Sequence, residues 1–136
     1  MGALNVAMRQ RTVLDTSVLI GGTPASLEGE VAISAASLAE LHFGVHVPTD
    51  PEVRAKRLAR LATIEREFEA LAFDSAVATS YGLLAALTLR AGRQPRRRAF
   101  DLLIAATAHA HHASLATRDL NDFEHLSEHV RIIEVG

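Results

Sequence analysis

Apolar positions change their period along the chain, and the changes mark the elements. Residues 11–14 form a short β-prone run ending at Asp15, and a second run covers 31–33 after the turn-forming Gly21-Gly22-Thr23-Pro24. Ser34 is placed to cap a helix over 35–45. Asp50 before Pro51 marks the next helix start, with proline at the first helical position. That helix is expected to reach about residue 70, with Val53, Leu58, Leu61, Ile64 and Phe68 spaced for an apolar face. A third strand is read at 71–73, and Asp74 or Ser75 caps a helix that ends at Gly92. After a basic loop at 93–97 come a helix over 97–112, a strand at 114–117, a helical turn at 121–126 and a last strand at 130–135. Strands alternating with helices predict an α/β fold, with a central parallel sheet covered by helices on both faces.

The chain has 136 residues, a length suited to one domain over 1–136, and residues 1–8 read as a poorly ordered lead-in. At 49% hydrophobic and 22% charged it has the balance of a globular protein. There is no cysteine, which excludes disulfides, thiolate metal sites and cysteine nucleophiles together. No apolar run approaches the roughly 18 residues of a membrane helix. The N-terminus lacks a signal-peptide pattern, so the cytoplasm is the expected location and no membrane partner is expected. The net charge of −2 means that any polyanion must be held by a local basic patch. Lys56 is the one lysine; arginine, which grips phosphate with two prongs, supplies the other positive charge.

Acids stand where chemistry is expected in such a sheet. Asp15 and Asp119 each follow a strand, so both are expected in the crevice beyond the strands' carboxyl ends. Glu40 and Asp101 lie on helix faces that are otherwise small and apolar. Two like charges ~4 Å apart repel by roughly 4 kcal/mol at an effective dielectric of 20, and a divalent cation would relieve that repulsion. Oxygen ligands without cysteine suit Mg²⁺ or Mn²⁺. Taken singly, the acids have plainer readings. Asp15 and Asp119 could be turn formers, Glu40 a rim residue, and Asp101 a counter-charge to Arg97 and Arg98.

The motifs containing these acids resemble those of PIN-domain nucleases, and among them the VapC-type toxins. Val13-Leu14-Asp15-Thr16-Ser17 is similar to the family's opening strand and acid, and Ser37-Leu38-Ala39-Glu40-Leu41 to its second motif. Residues 101–108, Asp-Leu-Leu-Ile-Ala-Ala-Thr-Ala, resemble the third, and residues 115–123 around Asp119 resemble the fourth. Asp122 is a fifth acid that could share that corner. The resemblance spans residues 11 to 135. It implies a three-layer α/β/α fold, Mg²⁺ or Mn²⁺, and RNA phosphodiester hydrolysis by a toxin that a cognate antitoxin silences, often as a homodimer. On that reading Asp15, Glu40, Asp101 and Asp119, with Asp122, hold one or two metal ions, and Glu40 positions or deprotonates the attacking water.

Thr16, Ser17 and Thr117 are hydroxyls placed to orient those carboxylates, although strand-end hydrogen bonding explains them equally well. Arg96, Arg97 and Arg98, within about one turn of Asp101, are expected to contact RNA phosphate, whereas Arg90 and Arg93 read as a solvated loop. His109 and His112 share a helix face and invite zinc, but they supply only two ligands; a solvated helix end suits them and His111 better. His42 and His46 read the same way. A metal-free ribonuclease using 109, 111 and 112, and a PIN-like module without catalysis, are the rival functions. A phosphoacceptor receiver would need an acidic pair after the first strand and a late lysine, and a haloacid-type phosphatase an acid where Ser17 stands.

Overall fold

The computed structural model describes residues 11–24, 27 and 29–136. Its five strands are β1 (Arg11–Leu14), β2 (Glu30–Ser34), β3 (Glu69–Leu71), β4 (Ser114–Thr117) and β5 (Ile132–Glu134). They form one sheet in the order β3-β2-β1-β4-β5, every pairing parallel. The chain therefore steps outward from β1 to β3 and then returns to lay β4 on the other side of β1. Strand order reverses between β1 and β4, and the crevice of an open parallel sheet lies at such a reversal.

Successive strand residues point to opposite faces, and the sheet accordingly feeds two cores. Val13, Ala32 and Leu115 pack on one face with Val77, Leu84, Leu102 and Phe123; Leu14, Ile33 and Ala116 pack on the other with Val18, Leu41, Leu61 and Ile64. The first face is covered by α4 (Ser75–Arg90) and α5 (Ala99–Ala110), the second by α1 (Thr16–Gly21), the body of α2 (Ala35–His46) and α3 (Pro51–Glu67). This is the expected three-layer α/β/α arrangement.

The helix starts form as their capping residues predict. Ser34 accepts from the Ala36 N–H at 3.1 Å, Asp50 from Glu52 at 2.9 Å, and Asp74, rather than Ser75, from Val77 at 3.0 Å. Gly92, at φ 79°, stands just past α4 in the left-handed region that glycine occupies without strain.

Several boundaries differ from expectation; the long fifth helix covers Ala99–Ala110 rather than 97–112 and the last strand Ile132–Glu134 rather than 130–135. α3 stops at Glu67, because Phe68 turns extended after its N–H caps the Ile64 carbonyl, and β3 then starts two residues early at Glu69. Its apolar stripe is buried only at Leu61 and Ile64, while Val53 and Leu58 are 36% and 55% exposed, so the first half of α3 lacks a core to cover. The short α1 stands where the pattern predicts only chain leading into a turn. The expected lead-in at residues 1–8 lies outside the described residues. Among the described residues no helix is long and apolar enough to cross a membrane.

Candidate active site

The carboxylates are placed by the ends of β1 and β4, by the second turn of α2 and by the first turn of α5. Asp15 follows β1, and its N–H donates to the Ala116 carbonyl of β4 at 2.8 Å, which holds it in the seam where strand order reverses. It is 5% exposed, an unusual position for an acid. Hydroxyls satisfy one of its oxygens: Ser17 Oγ and Thr117 Oγ1 donate to Oδ2 at 2.8 and 2.9 Å. Each hydroxyl in turn accepts a backbone N–H, Ser17 from Arg118 at 3.1 Å and Thr117 from Asp119 at 2.9 Å. The carboxylate is thus aimed by a relay that starts in the backbone after β4.

Glu40 comes from α2. Thr16 Oγ1, at the start of α1, donates to its Oε1 at 2.8 Å. The same Thr16 Oγ1 lies 3.0 Å from the buried Ser37 Oγ. Ser37 lies three residues before Glu40 on the same helix face, a spacing that could have singled it out from the sequence. Burial raises the Glu40 pKa most; the Thr16 hydrogen bond lowers it and the charge of Asp15 raises it.

Asp101 occupies the first turn of α5. Among the described residues it makes no hydrogen bond and no ion pair. Its carboxyl is pushed up to about 6, first by burial and then by the charges of Asp15, Asp122 and Glu40, with Arg98 pulling the other way. Asp15, Asp122 and Glu40 thus each act on Asp101, and Asp15 acts on Glu40 as well. Asp119 belongs elsewhere: it is exposed, and it lines a separate hollow of about 360 Å³ with Arg118, Asn121 and Glu134. Asp122 lines both that hollow and the cleft beside Asp101.

The cleft, about 390 Å³, is walled by Arg93, Gln94, Arg97 and Arg98 opposite Asp101 and Asp122. Arg98 Nη1 pairs with Asp122 Oδ1 at 3.3 Å, and Arg93 Nη1 donates to the Asn121 carbonyl at 2.7 Å. Arg93, read from the sequence as solvated, forms part of the wall; Arg96 is exposed and is not among the lining residues.

His109 and His111 lie away from the acids. α5 runs from Asp101 at the carboxyl end of the strands back to their amino end, where His111 Nδ1 lies 3.5 Å from Arg11 Nη1 at the start of β1. His109 Nδ1 is 2.7 Å from Ser80 Oγ of α4, and His42 pairs with Glu65 of α3 at 3.7 Å.

The donor set is compatible with a hard divalent ion. The site's acids offer only oxygen, Asp101 is unpaired, and burial and then its acidic neighbours raise its pKa, a cost of ionisation that a cation would offset. Among the described residues no three carboxylates or imidazoles stand together closely enough to hold a metal ion by themselves.

The PIN-domain family model matches residues 12–128. The chain belongs to the PIN-domain family. Within that family it is 38% identical over 120 residues to Ribonuclease VapC4 of Mycobacterium tuberculosis, covering 84% of this chain and 89% of that protein. It is 35% identical over 131 residues to Ribonuclease VapC5 of the same organism, covering 90% and 94%. The crystal structure of VapBC-5 from M. tuberculosis, a member of the VapBC family of toxin-antitoxin systems, superposes with a TM-score of 0.81 at 35% identity, covering 92% of this chain and 98% of that one. The α/β/α layers are thus those of a PIN domain.

The hydroxyl relay is itself testable. Thr117 is fully buried, and Thr117→Val keeps its shape while removing both hydrogen bonds. Leaving the Asp119 N–H and one bond of Asp15 unmet should cost about 1–3 kcal/mol. In urea the unfolding midpoint should fall at unchanged slope; an unmoved midpoint would show that the relay does not hold the site.

Proposed function

We propose that this PIN-domain protein is a metal-dependent endoribonuclease, the toxin of a VapBC-type toxin–antitoxin pair. The observation that carries the reading is Asp101, half-buried and unpaired, under the charges of Asp15, Asp122 and Glu40. In this proposal Asp15, Glu40 and Asp101 hold Mg²⁺ or Mn²⁺, and Asp122 or Asp119 supplies the fourth corner. Asp122 has the stronger support, because its charge is felt at Asp101. A bound ion would lower the pKa of the attacking water and offset charge building on the phosphate.

The chain's own groups do the rest. Glu40, made more basic by burial, orients or deprotonates the water. Arg97 and Arg98 hold RNA phosphate at the cleft edge, with Arg96 further out. Thr16, Ser17 and Thr117 keep the carboxylates aimed. A cognate antitoxin covering the cleft is supported by the VapBC relatives. A homodimer draws support from Leu83 and Leu89 on α4 and Phe100 on α5, apolar side chains exposed enough to be covered by a second copy.

Incubation of the purified chain with total RNA tests the core of the proposal. Cleavage is expected with Mg²⁺, none in EDTA, and recovery when Mn²⁺ is supplied in excess of the chelator. Cleavage that persists in EDTA would sink the metal reading.

A further inference from the structure

Thr88, fully buried near the end of α4, has one hydroxyl proton, and it goes to the Leu84 carbonyl one turn back, 2.8 Å away. The same oxygen lies 2.8 Å from His125 Nε2. With its proton already committed, Thr88 can only accept, so Nε2 must carry the hydrogen. The other ring nitrogen, Nδ1, is buried and has no hydrogen-bond partner. As the bare lone pair of a neutral ring it is tolerable there; as an imidazolium N–H it would be a buried donor with nothing to receive it. Burial first, then Arg93, then Arg98 lower the His125 pKa, in agreement with the neutral ring.

Two other ties join the same two segments. Arg93 donates to the Asn121 carbonyl, and Arg98 pairs with Asp122. Both are at least partly open to solvent, where such interactions are weak and screened by salt. The bond to Thr88 differs, since its acceptor is buried and its donor has no alternative partner.

We propose that His125 is a positioning residue whose Nε2–H bond to Thr88 seats the arginine loop against the wall carrying Asp122, and so places Arg93 and Arg98 for an RNA phosphate. The phosphate part rests on the ribonuclease reading above; the seating of the loop does not.

The experiment uses the full chain, ¹⁵N-labelled, with His125→Leu, His125→Gln and Thr88→Val. Glutamine can offer an amide N–H near the place of Nε2 without titrating. Wild type should show the Nε2–H tautomer at pH 7 in long-range ¹H–¹⁵N spectra. His125→Leu should shift the guanidinium Nε–H signals of Arg93 and Arg98 and leave those of Arg54 and Arg66 on α3 in place. It should also weaken binding of a short single-stranded RNA in EDTA several-fold, and the salt slope should drop by about one for each phosphate no longer held. His125→Gln should restore both readouts. Thr88→Val carries the same expectation as His125→Leu and decides the matter if the leucine variant does not fold. An Nδ1–H tautomer, or unmoved Arg93 and Arg98 signals in the variants that fold, would overturn the proposal. If wild type binds no RNA in EDTA, the arginine signals alone decide the seating, and the ribonuclease reading is judged by Mg²⁺-dependent cleavage.

Discussion

Asp101→Asn is expected to raise the melting temperature of the metal-free protein by several degrees while removing RNA cleavage. The two effects share one cause. Asp101 is ionised at pH 7.5, half-buried, unpaired, and surrounded by the charges of Asp15, Asp122 and Glu40. Its folded-state pKa, about 6, lies above the ordinary 3.8. The folded chain therefore binds this proton more tightly than the unfolded chain does. The stability linked to it is fully present below about pH 4 and is lost as pH rises through 6. Asparagine is never charged, so the gain from Asp101→Asn in EDTA should be largest above pH 7 and vanish towards pH 4. Cleavage should fall by about two to three orders of magnitude, the scale of losing a group that acts on transition-state charge. Mg²⁺ should stabilise the parent more than the variant, by RT ln(1 + [L]/Kd) in each case. Calorimetry across pH with and without EDTA measures the stability effects, and an RNA cleavage assay measures the other. A variant that melts below the parent in EDTA at pH 7.5 would mean that Asp101 is structural and that no shared site exists.

What could be read in the sequence depended on local rules. The capping serine and aspartates, the alternation of strand and helix, and the position of an acid after β1 involve residues within a few places of one another. What could not be read depends on distant partners. Residues 16–21 have no capping signal of their own: Asp15 makes no side-chain cap, and the end of α1 is held by Arg118, which reaches back to donate to the Gly22 carbonyl at 2.7 Å. A Cβ at Gly21 would stand 2.5 Å from the Arg118 Nε, so the glycine read as turn punctuation serves a close approach. The different settings of Asp119 and Asp122 likewise follow from the 3-10 turn Leu120–Asp122, which carries Asp122 round to face Asp101. His125 had no local signal at all, since its partner Thr88 is 37 residues away. The buried acid Asp15 and the half-buried Glu40 and Asp101 break the rule that charge stays in water, and those breaks were the visible trace of the site.

An RNA carrying a single 2′-deoxy substitution at the scissile position is expected to be cut as well as the all-ribose strand. Ribonucleases that work without metal use the 2′-hydroxyl as nucleophile, with imidazoles as base and acid, and leave a 2′,3′-cyclic phosphate. That route needs a histidine pair beside the phosphate. Here His111 stands at the amino end of β1 and His109 is engaged with Ser80, both at the far end of α5 from Asp101. His125 offers no substitute: its Nε2–H is given to Thr88 and its Nδ1 is buried. The groups that do face the cleft are carboxylates and guanidinium groups, suited to holding a cation, aiming a water and neutralising phosphate, with no imidazole to activate a sugar hydroxyl. On the proposed reading water would be the nucleophile and the 3′-oxygen the leaving group, which would give a 5′-phosphate and a 3′-hydroxyl. Mass spectrometry of the two fragments, made from the ribose and the deoxy-substituted strands, reads this directly. Loss of cutting at the substituted position, or cyclic-phosphate ends that persist in EDTA, would move the chemistry to the histidines and leave the acids without a catalytic part.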